Sequence, residues 1–151
     1  MVRLEYRLCD EKQGFPSLFG YSSLLYGEVL MRFACDYLVK GTRVYEKTST
    51  AIEGDLYVVY VIESPDEDEN PSGPVFMPDW EGICMEVRHF REGMDDYPLV
   101  RRLRFYDSQE ALLHLLSDYL MIGDQEWEKT STEVDENRKV YVIYAKPTTE
   151  E

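Results

Sequence analysis

The sequence predicts an α+β fold. An internally duplicated helix–strand–strand unit, each copy preceded by a strand, builds a mostly antiparallel sheet covered by two helices about a pseudo-two-fold axis. Three observations lead there. Residues 28–53 align without a gap onto residues 110–135 at an offset of 82, and 11 of the 26 pairs are identical. Five of the identities form one block, Glu46-Lys47-Thr48-Ser49-Thr50 against Glu128-Lys129-Thr130-Ser131-Thr132. Within each copy, apolar residues recur first at helical spacing and then in the short β-branched and aromatic runs typical of strands.

In the first copy Tyr26, Leu30, Phe33, Ala34, Tyr37 and Leu38 form one apolar helix face. Glu28, Arg32, Asp36 and Lys40 fall four apart on another face, an alternating-charge ladder suited to solvent. The second helix places Leu112, Leu115, Leu116, Tyr119 and Leu120 at matching positions, and Asp107 with Glu110 has the form of a capping box. Gly41 and Gly123 follow the last periodic residue of each helix, where a left-handed cap favours glycine.

Strands are predicted over residues 42–52 and 125–134, rich in Thr, Val, Tyr and Trp, with turn residues Gly54-Asp55 and Asp135-Glu136-Asn137 after them. The runs 56–62 and 140–145 are nearly continuously apolar, which predicts strands well inside a sheet. Residues 2–8 and 84–91 read as the preceding strands, because Leu4-Glu5-Tyr6-Arg7 resembles Met85-Glu86-Val87-Arg88. Residues 99–106 read as a strand added in the second copy, pairing with residues 84–91. Between the copies, Pro65, Pro71, Pro74 and Pro78 mark a connector. The division is thus residues 1–62, a connector over 63–80 and residues 81–151, with both copies sharing one compact domain.

The 30 acidic and 16 basic residues give a net charge of -14, which repels phosphate backbones and anionic membranes and favours a basic partner. Three separated cysteines, Cys9, Cys35 and Cys84, read as reduced thiols rather than a disulfide framework. The start of the sequence lacks the apolar stretch of a signal peptide, and no run reaches membrane-spanning length, so a cytoplasmic location is the expectation.

The repeated Glu-Lys-Thr-Ser-Thr block offers a pair of related polar sites. On a strand, however, Glu46 and Lys47 point to opposite faces, and shared structure explains the match without a site. His89 and His114 have no ligand at a metal spacing. No nucleophile motif and no phosphate-cradling glycine loop is present, so no catalytic residue, metal or cofactor is assigned. Charge segregation supplies the candidate binding residues. Arg88, Arg91, Arg101, Arg102 and Arg104 crowd one hairpin, suited to docking a carboxylate or other anion. Asp66, Glu67, Asp68 and Glu69 form an acidic counterpart in the connector. For both groups the plainer reading, a solvated charged surface, carries more weight.

The function expected on these grounds is a non-enzymatic, cytoplasmic, protein-binding or regulatory module of unknown partner; the partner expected is a protein, with a basic one and a homo-oligomer both left open. The alternative is a small-ligand-binding protein or enzyme with its site between the copies, lined by tyrosines such as Tyr37, Tyr60, Tyr119 and Tyr144. Nucleic-acid contact through the arginines is opposed by the total charge.

Overall fold

A computed structural model describes residues 1–64, 82–94 and 96–149. The first half of the chain runs β1 (Val2–Leu8), β2 (Ser17–Leu24), α1 (Tyr26–Ala34), β3 (Tyr37–Lys40), β4 (Arg43–Glu53) and β5 (Leu56–Glu63). The second half passes through the same order: β6 (Ile83–His89), β7 (Leu99–Phe105), α2 (Ser108–Leu116), β8 (Tyr119–Ile122), β9 (Gln125–Asp135) and β10 (Val140–Pro147). The acidic connector with Asp66, Glu67, Asp68 and Glu69 lies outside the described residues.

The expected fold class is corrected. Among the described residues 57% lie in strands and 16% in helices, and the strands form one mixed sheet rather than a mostly antiparallel sheet of duplicated helix–strand–strand units. Its order is β2-β1-β5-β4-β3-β9-β10-β6-β7, with β8 paired to β9 off that path. Three pairs are parallel: β1 with β5, β6 with β10, and β3 with β9. The first two are possible because a helix and three strands intervene in the chain, long enough for a crossover.

The physical reason for the correction lies at the helix ends. Each helix is only nine residues long and stops at Ala34 or Leu116, where Cys35 (ψ 139°) and Ser117 (ψ 138°) turn the backbone extended. Tyr37-Leu38-Val39 and Tyr119-Leu120-Met121 continue the helical spacing of apolar residues, but they are strand residues. Gly41 and Gly123 do have positive φ, 65° and 62°. They serve hairpins, not helix caps: Lys40 pairs with Arg43 and Ile122 with Gln125, so each glycine opens a two-residue turn. Nor is the strand at residues 99–105 an addition of the second half, since β2 occupies the same place beside β1.

The repeated Glu-Lys-Thr-Ser-Thr block explains how so short a helix is held. Lys47 Nζ donates to the Phe33 carbonyl at 2.7 Å, and Lys129 Nζ donates to the Leu115 carbonyl at 2.7 Å. A cation at a helix C-terminus satisfies an orphan acceptor and complements the dipole. The next residue, Thr48 or Thr130, is skipped by the ladder as a bulge, and its hydroxyl donates to Tyr60 O or Tyr144 O. The block is a structural device used twice.

Strand alternation sends Leu4, Tyr6, Val59, Val61, Met85, Val87, Tyr141 and Ile143 to the helix-covered face, where they form the core. β5 and β10 are buried on both faces, as Val58 with Val59 and Val142 with Ile143 demonstrate. This is the interior placement that their continuous apolar runs predict.

The two halves join through β3 and β9, in the register Tyr37↔Glu133, Leu38↔Val134 and Val39↔Asp135. Asp36 N donates to Thr132 O at 3.0 Å, while the Asp36 carboxylate accepts from Thr132 N at 2.9 Å. Glu136 N closes the join on Val39 O at 2.9 Å.

Candidate functional site

α1 and α2 touch at their first turns, where only glycine permits the approach. A Cβ on Gly27 would fall 2.2 Å from Ser108 Oγ and 2.6 Å from Ser108 Cβ. Around this crossing the helix layer exposes Leu25, Leu30 and Tyr106, and further along α2 it exposes Leu113 and Leu116. Acidic groups accompany them. Glu110 lies in the first turn of α2, and Asp107 caps it, accepting from Gln109 N at 2.6 Å.

Beneath the crossing lies a cavity of about 350 Å³ between the halves, walled by Leu25, Met31, Ile83 and Tyr106, with Glu28 and Tyr141 as polar members. Burial pushes the Glu28 carboxyl above the ordinary carboxylate range, against the pull of the Arg32 charge. Burial likewise pushes the Tyr141 phenol well up, so it is neutral. The sequence suggests Tyr37, Tyr60, Tyr119 and Tyr144 for a site between the copies, but none of these walls the cavity. Tyr60 packs on Phe15, Tyr144 packs on Tyr97, and Tyr119 stands exposed on β8. Tyr106 and Tyr141 occupy the site instead, and no periodicity distinguishes them in the sequence.

The five arginines of the hairpin are divided. Arg88, Arg102 and Arg104 share the sheet face opposite the helices with Glu86, while strand alternation puts Arg101 on the helix side and Arg91 lies in the loop. The first two turn toward Glu86, a carboxylate 1% exposed. Arg88 Nε is 2.9 Å from it and Arg102 Nε 4.0 Å, and Arg138 from the β9–β10 turn approaches to 2.6 Å. Arg88 also donates to Tyr97 O at 2.9 Å. Burial alone would raise the Glu86 carboxyl, but the hydrogen bonds and charges of Arg138 and Arg88 outweigh it and hold it below the usual range. β1 repeats the motif, with Arg7 Nε 2.7 Å from Glu5. Arg104 lies over the Tyr106 ring, 5.9 Å from its centroid. The arginine cluster therefore has an internal acid as its focus, a residue that sequence reasoning did not connect to it.

A second buried charge cluster sits where the two halves meet. Arg32, from α1, lies 3.2 Å from Glu136 and 3.7 Å from Glu28, and its guanidinium stacks 4.8 Å from the Tyr21 ring centroid. Lys40 and the Tyr21 hydroxyl complete the ring of donors around Glu136. Burial would raise the Glu136 carboxyl, but hydrogen bonds from Lys40 and Tyr21 and the nearby charges lower it. Because Glu136 comes from the second half and the donors from the first, this cluster is part of the join.

Among the described residues, no group of His, Cys, Asp and Glu is placed to hold a metal ion, and no helix is long and apolar enough to cross a membrane. Comparison with protein-family models, curated proteins and solved structures finds no match to this chain.

Proposed function

We propose that this chain is a non-enzymatic binding module for a basic protein, engaged through the helix layer. One observation carries the reading: basic side chains are consumed internally while apolar ones are left outside. Arg7, Arg32, Lys40, Arg88 and Arg138 all close on the chain's own carboxylates, and Lys47 and Lys129 cap its helices. The outward field of a chain with net charge -14 is thereby left acidic, and Leu25, Leu30, Leu113 and Leu116 offer apolar contact within it. Apolar anchors inside a charged rim are how protein interfaces combine affinity with steering.

The test is a comparison of the wild type with a Leu113→Glu/Leu116→Glu variant whose fold is verified by circular dichroism. A protein captured by the wild type is purified and titrated with both chains at two salt concentrations. The reading expects a basic partner, binding that weakens with salt, and a loss of at least about tenfold in the variant, since two apolar anchors are worth about 1 kcal/mol each or more. Equal affinity of the two chains, or no partner at all, overturns it.

The cavity between the halves favours a second reading, a site for a small molecule with an apolar body and a polar head directed at Glu28 and Tyr141. A compound that raises the melting temperature of the wild type but not of Tyr106→Ala supports it. A screen of small amines and aromatic metabolites without any such compound counts against it.

A further inference from the structure

The join between the two halves uses one surface from each, and the sequence repeat identifies the counterparts that no other described strand covers. On the first half the join takes Asp36 and the outer edge of β3. On the second it takes Thr132 and the last three residues of β9. At the offset of 82, Asp36-Tyr37-Leu38-Val39 corresponds to Asp118-Tyr119-Leu120-Met121, and Thr132-Glu133-Val134-Asp135 corresponds to Thr50-Ala51-Ile52-Glu53. Four of these eight correspondences are identities, and they include the Asp and Thr that make the side-chain bond.

Neither counterpart is used among the described residues. β8 pairs with β9 on one side and with nothing on the other among the described residues. Among the described residues Ala51–Glu53 of β4 pairs with β5 only, since β3 covers just the opposite end of β4, Arg43–Glu46. The side chains report the same vacancy. Val134 is 0% exposed in the join and its counterpart Ile52 is 66% exposed; Val39 is 3% exposed and Met121 is 64% exposed. Asp118 and Thr50 are likewise exposed, whereas Thr132 is buried. Two complementary edges with unpaired backbone and apolar side chains invite pairing with another chain.

We infer that a second copy of this chain fills these edges: β8 of one molecule pairs in parallel with Ala51–Glu53 of the next. The register repeats the internal join, Tyr119↔Ala51, Leu120↔Ile52 and Met121↔Glu53, and the Asp118 carboxylate accepts from Thr50 N and Oγ1. The occupant is identified by the internal join itself, in which the corresponding strands, with the same Asp and Thr, are already seated. The intermolecular version lacks the ion pairs of the internal one, because His114 and Ile122 stand where Arg32 and Lys40 do. It rests on strand pairing and apolar burial, which makes it the weaker and reversible of the two. The contact joins two different patches, so a molecule carries one of each. This inference is independent of the helix-layer reading, whose residues Leu113 and Leu116 it does not use.

The experiment is sedimentation velocity on the full chain and two single variants, Ile52→Lys and Met121→Lys, each on an exposed side chain. The wild type is expected to associate with rising concentration, and each variant to sediment as a monomer. An equimolar mixture of the variants is expected to give dimers and nothing larger. The Ile52→Lys chain keeps an intact β8 and the Met121→Lys chain keeps an intact β4 end, so one sound junction forms between them. A wild type that stays monomeric up to the millimolar range overturns the inference, as it would if β8 closed on β4 within one molecule. Association that survives both substitutions, or variants that fail to complement each other, overturns it equally.

Discussion

Glu86 gives the sharpest quantitative handle on this fold. Its side chain is 1% exposed on the sheet face away from the helices, with Arg88 at 2.9 Å and Arg138 at 2.6 Å, themselves only 13% and 10% exposed. Glu86→Gln keeps the shape and one acceptor but removes the negative charge from between two desolvated guanidiniums. Breaking a buried ion pair by neutralising one partner costs about 3–5 kcal/mol. The retained amide oxygen, and Asp135 at 3.9 Å from Arg138, place this substitution at the lower end, about 3 kcal/mol. With a urea dependence of about 2 kcal/mol per molar, the unfolding midpoint falls by about 1.5 M. Arg138→Met in the same background then costs less than it does alone, because the two groups are coupled. The pH dependence has a definite sign. The folded-state carboxyl lies below its unfolded value, so its contribution is present above the unfolded pKa of about 4.3 and is lost as pH falls through the folded one. The gap between wild type and Glu86→Gln therefore narrows in acid. A midpoint shift under about 0.5 M at neutral pH, or a gap that widens in acid, refutes the assignment of Glu86 as the buried focus of the arginines.

Two further predictions test the devices that repeat along the chain. Lys47→Met and Lys129→Met each remove a charge-assisted bond at a helix end, and chemical denaturation is expected to record a similar loss for both, about 1 kcal/mol. Asp36→Ala, which deprives Thr132 N of its acceptor and Oγ1 of one of its two, is expected to cost about 2 kcal/mol in dilute solution. The exposed counterpart Asp118→Ala is expected to stay within about 0.5 kcal/mol of the wild type under the same conditions. Equal costs for the two aspartates would contradict the one-sided join.

Much of the strand architecture is legible in the sequence. The β-branched and aromatic runs locate β1, β4, β5, β9 and β10 to within two residues, and the continuous apolar character of β5 and β10 announces their burial on both faces. The helices mislead. Residues 37–40 and 119–122 keep an apolar spacing that a helix accepts as well as a strand does, and the glycines after them suit a helix cap as well as a hairpin. What decides is the partner: β9 offers β3 an edge, and Lys47 ends α1 from β4, 14 residues beyond Phe33. β2 is hidden for a different reason, since Gly20, Ser22 and Ser23 dilute its strand character. The parallel pairs follow from which strands meet after the chain has crossed over, information that no local window contains. The same holds for the site residues. The crowding of arginines is visible in the sequence, whereas their convergence on Glu86 needs the register Glu86↔Arg102 and the arrival of Arg138 from a turn 52 residues away.

The central structural claim is that the two halves form one continuous sheet through β3 and β9, and amide hydrogen exchange on dilute protein tests it most directly. The amides of Asp36, Thr132 and Glu136 bridge the halves. They are predicted to exchange only through global unfolding, with the same opening free energy as the core amides of Val59 and Ile143. If these three exchange several kcal/mol more easily than the core of either half, the halves open independently and the continuous sheet is wrong.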